Sequence, residues 1–304
     1  MLNRRQIRLK VMHSLYSYFC LPDLKSKRKD EHLFEVSQIK NLFYLFINTL
    51  LRVSNFSKEF HTINKKKFFP SELDLNPNYN FFNNKLLSVL RHSNIVEELK
   101  DVDSLSEKLN IAHDLDRKIF LEVYKNDFYQ KYITSKKPSL NDDLNFTVFI
   151  IKNVFGNYDL LKQLFCEENV LWLDDYEFVL AFLINKIKNY NKMESFKILS
   201  PFKNTDDKLF FNLLYEKTIE KNKYFDQIIN ENSSNWELER IAKIDLILLK
   251  MGLTELFFIK KLPFRVTLNE YIEISKFYST KNSGKFINGI LDKVIRSNKD
   301  ICKK

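Results

Sequence analysis

Two clusters of side chains in this chain are suited to gripping a nucleic acid. Near the start, Arg4, Arg5 and Arg8 crowd together. Near the end runs Lys285-Phe286-Ile287-Asn288-Gly289-Ile290-Leu291-Asp292-Lys293. Lysines and arginines meet phosphates, and an Asn amide can read base edges. Phe286 could stack on an unpaired base, although its place at the head of an apolar stripe reads first as core. Gly289 falls inside a predicted helix, where Gly costs about 1 kcal/mol relative to Ala. Either another helix packs closely against it, the simpler reading, or a ligand backbone approaches it.

Marks of catalysis are scarce. His13, His32, His61, His92 and His113 have no ligand spacing with one another or with Cys20, Cys166 and Cys302. There is no Gly-rich phosphate loop and no nucleophile elbow. Asp142-Asp143 and Asp174-Asp175 read as helix N-termini, where acids complement the dipole. Lys65-Lys66-Lys67 reads as a solvated patch in a loop over residues 64–83. An enzyme is therefore not expected, and no cofactor or metal is implied. The cysteine pattern fits a reducing cytoplasm, and no apolar run is long enough to cross a bilayer.

Helices must position these clusters. The chain has 304 residues, 44% hydrophobic, with four Gly and six Pro. So few turn residues, with each proline between periodic stretches, predict an all-α fold. Helix one is expected over about 3–19, with Ile7, Val11, Leu15 and Tyr18 as its apolar stripe. At 100° per residue Arg4 and Arg8 fall on that same side, so they must reach past the end of the core or line a cleft at its rim. A long helix is predicted over 34–60, others over 105–132, 144–155, 158–165 and 175–190, and a return helix over about 207–230. Ser234-x-x-Glu237 and Thr267-x-x-Glu270 read as capping boxes. The first opens a helix to about Phe258, apolar almost all round and so expected at the centre; the second opens one to about Tyr278. Residues 279–283 form a short polar linker. The last helix then carries Phe286, Ile287, Ile290, Leu291, Val294 and Ile295 on one face. The expected division is 1–232, holding helix one, an insertion at about 64–205 and the return helix, and 233–304, a three-helix subdomain.

Charge points the same way. The net charge is +10, with +7 in residues 1–29, +7 in 259–304 and −4 between. If helix one and the last helix lie side by side, the two ends merge into one basic face, the footprint of a nucleic-acid binder.

Asn235-Trp236-x-Leu238-x-Arg240-Ile241, Asn269-Glu270 and the Lys285–Lys293 run resemble the C-terminal half of the NusB family. Arg4-Arg5-Gln6-Ile7-Arg8 with Ser14-Leu15-Tyr16 resembles its first helix. The resemblance covers about residues 206–296 and 3–19; residues 64–205 have no counterpart in it. It implies a NusB-like fold of two stacked helical bundles, here expanded in its N-terminal part. It also implies RNA binding at the boxA element, with NusE, a small-subunit ribosomal protein, as partner in an RNA polymerase antitermination complex. By the same resemblance Arg4, Arg5, Arg8, Lys285, Phe286, Asn288 and Lys293 are candidate RNA contacts, and Tyr278, Asn282 and Ser283 candidate partner contacts. Gln6 interrupts the arginine run, and Asn282 stands where the family commonly has an acid. A related module is fused to ribosomal RNA cytosine methyltransferases; this chain leaves no room for that domain, so that activity is not expected. The alternative function is a protein-interaction scaffold in ribosome assembly with incidental RNA affinity.

Overall fold

A computed structural model describes residues 2–20, 31–93, 95–190, 196–198, 200–233, 238–259 and 262–298. Fifteen α-helices are found among the described residues: α1 (Arg4–Cys20), α2 (Glu31–Asn64), α3 (Glu72–Leu75), α4 (Lys85–Arg91), α5 (Ile95–His113), α6 (Leu115–Tyr124), α7 (Asp127–Thr134), α8 (Leu140–Phe149), α9 (Asp159–Glu168), α10 (Trp172–Lys188), α11 (Thr205–Glu220), α12 (Asn222–Asn232), α13 (Lys243–Phe258), α14 (Phe264–Tyr278) and α15 (Ser283–Ser297). A π-helical turn, Ile150–Phe155, continues α8. Among the described residues the only extended pairing is an isolated bridge between Leu2 and Phe202. The fold is all-α, as the composition predicts.

The chain divides into two compact units, residues 1–36 with 200–304, and residues 37–199. The boundary therefore does not fall at 232/233. α1 and the return helices belong with the C-terminal helices because they pack on α13.

In the first unit α13 is the hub. α1, α11, α12, α14 and α15 all pack against it, and every residue from Ile247 to Leu256 is buried. Each buried polar residue on this helix is matched to a different neighbour. Asp245 accepts from Ser283 of α15 at 2.7 Å, and Lys250 pairs with Asp226 of α12 at 2.7 Å. The Thr254 and Thr218 hydroxyls, on α13 and α11, lie 2.8 Å apart, and Glu255 holds Arg8 of α1. Buried polar groups need such partners, so these pairs select the rotation and register of each neighbour about α13.

Several boundaries differ from the periodicity reading. The predicted helix over 105–132 is three: Asp114 takes a left-handed φ of 50° between α5 and α6, and Asn126 caps α7 by accepting from Phe128. The return helix breaks at Lys221 into α11 and α12. The loop at 64–83 contains α3, closed by a Ser71/Asp74 capping box. Asp142 does sit at a helix start, in a capping box with Ser139, and Asp174 and Asp175 lie in the first turn of α10.

The second unit has an aromatic core around α2. Phe46 contacts Phe155, Phe165 and Tyr176, and Phe60 contacts Phe120 and Tyr124. Several of its buried polar groups are paired as well. Trp172 Nε1 donates to the Gln38 carbonyl at 3.0 Å, and Asp143 accepts from the Tyr132 hydroxyl and the Lys85 backbone.

Candidate nucleic-acid and partner surface

Arg8 lies in the core of the first unit, 1% exposed. Its Nε and Nη2 donate to the two carboxylate oxygens of Glu255 at 2.7 and 2.9 Å. The same carboxylate accepts from Tyr271 at 2.6 Å and Thr267 at 3.1 Å. Burial opposes a charged Arg8, but hydrogen bonds to Glu255 and its charge hold the pKa above the ordinary arginine value. Burial, then the Glu255 charge, pushes the Tyr271 phenol well above its usual range. The inward direction read from helix one is right; its destination is neither a cleft nor the end of the core. Arg8 cannot meet RNA from this position and acts as a clamp between α1, α13 and α14. The signal that could have found its partner was Glu255, an acid in the C-terminal half of a mostly apolar helix.

Thr267 and Glu270 belong to the same network. They do not cap α14, which opens three residues earlier behind Pro263. Glu270 takes a bidentate pair of hydrogen bonds from Arg5, each 3.0 Å, and lies 3.6 Å from Arg8 Nη1. These hydrogen bonds raise the Arg5 pKa. The Ser234–Glu237 capping box lies outside the described residues. α13 itself opens at Lys243, after a short 3-10 turn at Leu238–Arg240.

Arg4 and Arg5 keep side-chain exposures of 38% and 45%. Arg4 pairs with Asp207 at 2.9 Å and lies over the Phe210 ring at 4.2 Å. A phosphate reaching either arginine must compete with a carboxylate already there.

α1 and α15 do not pack side by side as principal neighbours. α1 rests on α11 and α13, α15 on α12, α13 and α14. Both pack on α13, which takes the place expected for their shared seam. Much of the basic charge of residues 1–29 and 299–304 lies outside the described residues.

On α15, Ile287, Ile290, Leu291, Val294 and Ile295 are buried, while Lys285, Asn288, Gly289 and Lys293 face outward. Gly284 and Gly289 differ sharply. A Cβ at Gly284 would make ordinary contacts with Ser275 Oγ at 3.4 Å and Ile272 at 3.5 Å, so this glycine lies against α14. A Cβ at Gly289 would meet nothing within 4 Å. Helix packing therefore does not account for Gly289. Gly289→Ala should raise stability by about 0.5–1 kcal/mol. By contrast, a Cβ at Gly252 would come within 3.0 Å of Leu291. Gly252→Val must displace Leu291 and Tyr271 and should lower stability by about 1–3 kcal/mol. Urea unfolding midpoints check both.

Lys293 Nζ also donates to the Asn232 carbonyl at the end of α12, 3.1 Å away. Phe286 is half-buried and shares a groove of about 220 Å³ with Arg240, Ile241, Asp245, Asn282 and Ser283. The structure thus brings Phe286 to the candidate partner residues Asn282 and Ser283. Ser283 itself is buried; its hydroxyl joins Ser279, Thr280 and Asp245, so it fixes the linker rather than facing a partner. Asn282 is exposed at the N-cap of α15 and makes no side-chain capping bond. Tyr278 stands apart from the groove, edge-on to the His13 ring at 5.7 Å.

The described residues hold no group of three or more His, Cys, Asp or Glu able to hold a metal ion, and no helix long and apolar enough to cross a membrane.

This is a helical module with an exposed basic and amide face on α15. The NusB family model matches residues 177–296. The Transcription antitermination protein NusB of Thermodesulfovibrio yellowstonii is 38% identical over 141 residues, covering 41% of this chain and 91% of that protein. The protein of the same name from Clostridium novyi is 37% identical over 114 residues, 35% of this chain and 86% of its own length. That of Desulfitobacterium hafniense is 46% identical over 88 residues, 29% of this chain and 60% of its own. No solved structure matches. The chain belongs to the NusB family.

Proposed function

We propose that this chain is a non-catalytic, RNA-binding transcription antitermination factor. In this reading it binds boxA-type RNA together with NusE, in the RNA polymerase complex that transcribes ribosomal RNA operons in the cytoplasm. Family membership and the shared name of the relatives support the class. The observation that carries the RNA surface is the open backbone of α15 at Gly289, flanked by Asn288 and Lys285. A helix-interior glycine with no packing partner leaves room for a nucleic-acid strand to come close. Lys285, Arg4 and Arg5 supply phosphate contacts, Asn288 a base-edge contact, and Phe286 an apolar edge at the groove.

The groove at the start of α15 is the partner surface in this reading. The linker before it is rigidly held between two helices, as a recognition loop needs to be. Asn282 faces outward there without a charge, so its contact depends little on salt. Gel-shift titration of the full chain with boxA RNA, with and without NusE, tests the proposal. The wild type should bind boxA more tightly than a scrambled RNA and gain affinity when NusE is added. Asn282→Asp should change NusE affinity and leave RNA binding by the isolated chain unchanged. Equal affinity for boxA and scrambled RNA in both conditions would overturn the reading and favour the scaffold.

A further inference from the structure

The second unit carries a basic and aromatic track of its own. Phe68 and Phe69, just past the end of α2, are 90% and 85% exposed. Among the described residues the one ring contact either makes is with the other, edge to face at 4.7 Å. Burying a phenylalanine is ordinarily favourable, and two adjacent rings left in water have no folding role. Lys65 and Lys66 precede them, exposed and without an ion pair among the described residues, whereas Lys67 is taken up by Asp74 at 3.6 Å.

The track continues back along α2. Lys58 precedes Lys65 by two helical turns and falls on the same side of the helix at 100° per residue. The Lys65 backbone still bonds to His61 in helical fashion, so the alignment holds past the formal end of α2. Lys58 Nζ lies 4.5 Å from the centre of the Phe82 ring, and the Arg91 guanidinium lies 4.4 Å from the same ring. Neither cation has a carboxylate partner among the described residues. Arg91 is half-buried, donates to the Phe82 carbonyl and Ser54 Oγ, and keeps a buried Nε with no hydrogen-bond partner there. Two cations drawn to one ring with no acid between them leave a local positive field that folding does not neutralise.

We infer that the Arg91–Lys58–Lys65 flank of α2 and the Phe68/Phe69 tip form a second binding surface, for single-stranded RNA, within the insertion. The cations meet successive phosphates and the exposed rings stack on unpaired bases, which a duplex does not offer. Ser54 to Lys65 spans about 16 Å along the helix at 1.5 Å per residue. A strand laid along the flank reaches all of these groups. A lipid surface resting across the tip leaves Arg91 behind by that distance. This surface is independent of α1 and α15, and it gives the insertion a role in holding transcript outside the boxA element.

The test uses the full chain and three probes: an oligouridylate without boxA sequence, an RNA duplex of the same length, and vesicles containing phosphatidylserine. Phe68→Ala with Phe69→Ala should weaken oligouridylate binding about tenfold or more. Lys58→Ala, Lys65→Ala and Lys66→Ala together should reduce the slope of log affinity against log salt by about 2. All five side chains are exposed, so circular dichroism should be unchanged, and boxA affinity of the variants should fall by less than their oligouridylate affinity. Unchanged oligouridylate binding in both variants would overturn the inference. So would duplex binding as tight as single-strand binding, or variants that lose vesicle binding alone. Loss of boxA binding in Arg4, Arg5 and Lys285 variants, with oligouridylate binding retained, would support it and separates this surface from the first.

Discussion

Arg8→Ala should destabilise the first unit by about 3–5 kcal/mol, the usual consequence of removing one partner from a buried ion pair. Arg8 and Glu255 are both 1% exposed and joined by two hydrogen bonds of 2.7 and 2.9 Å. Removing the guanidinium strands the Glu255 carboxylate, whose remaining donors are the Tyr271 and Thr267 hydroxyls. Neutralising both members should be milder. Arg8→Met with Glu255→Gln leaves no uncompensated buried charge, and an amide still engages the two hydroxyls. Urea unfolding followed by far-UV circular dichroism should therefore place the double variant between Arg8→Ala and the wild type. If Arg8→Ala unfolds at the wild-type midpoint while RNA affinity falls, Arg8 is an RNA contact after all, and the clamp is wrong.

The second large effect concerns salt. Arg4→Ala, Arg5→Ala and Lys285→Ala combined should flatten the dependence of boxA affinity on salt by about 2 in log–log slope, at about 0.7 per phosphate contact on a single strand. Stability should change little. Arg4–Asp207 and Arg5–Glu270 are partly exposed pairs, and such pairs contribute about 0–1 kcal/mol. A combined variant with the wild-type slope would mean that the carboxylates of Asp207 and Glu270 keep both arginines away from phosphate. In that case the boxA surface has to be sought elsewhere on α15.

Much of the helical layout is legible in the residues alone. Four glycines in 304 residues, with prolines between periodic stretches, suffice for an all-α fold. The mostly apolar sequence of α13 announces its central place, and the Ile287–Ile295 stripe announces which side of α15 faces out. Breaks such as Asp114 and Lys221 are not legible, because a polar residue at a helix break looks the same as one on a solvated face. The Thr267-x-x-Glu270 pattern misleads for a related reason. A hydroxyl and a carboxylate three apart suit a helix cap, but here both lie inside α14, where Thr267 donates to Glu255 of α13 and Glu270 holds Arg5 of α1.

Local sequence determined that the chain is helical, which faces of its main helices are apolar and that Arg8 points inward, because these follow from spacing along a single helix. Only the tertiary structure decided what the polar groups meet. Arg8 finds Glu255 across 247 positions of chain, Ser283 finds Asp245 across 38, and Gly289 finds nothing. Hydrogen bonds and ion pairs are short-ranged and directional, so their partners are set by how helices rotate and dock. That is why the candidate surface moved from three arginines to two, and why an open glycine became its clearest mark.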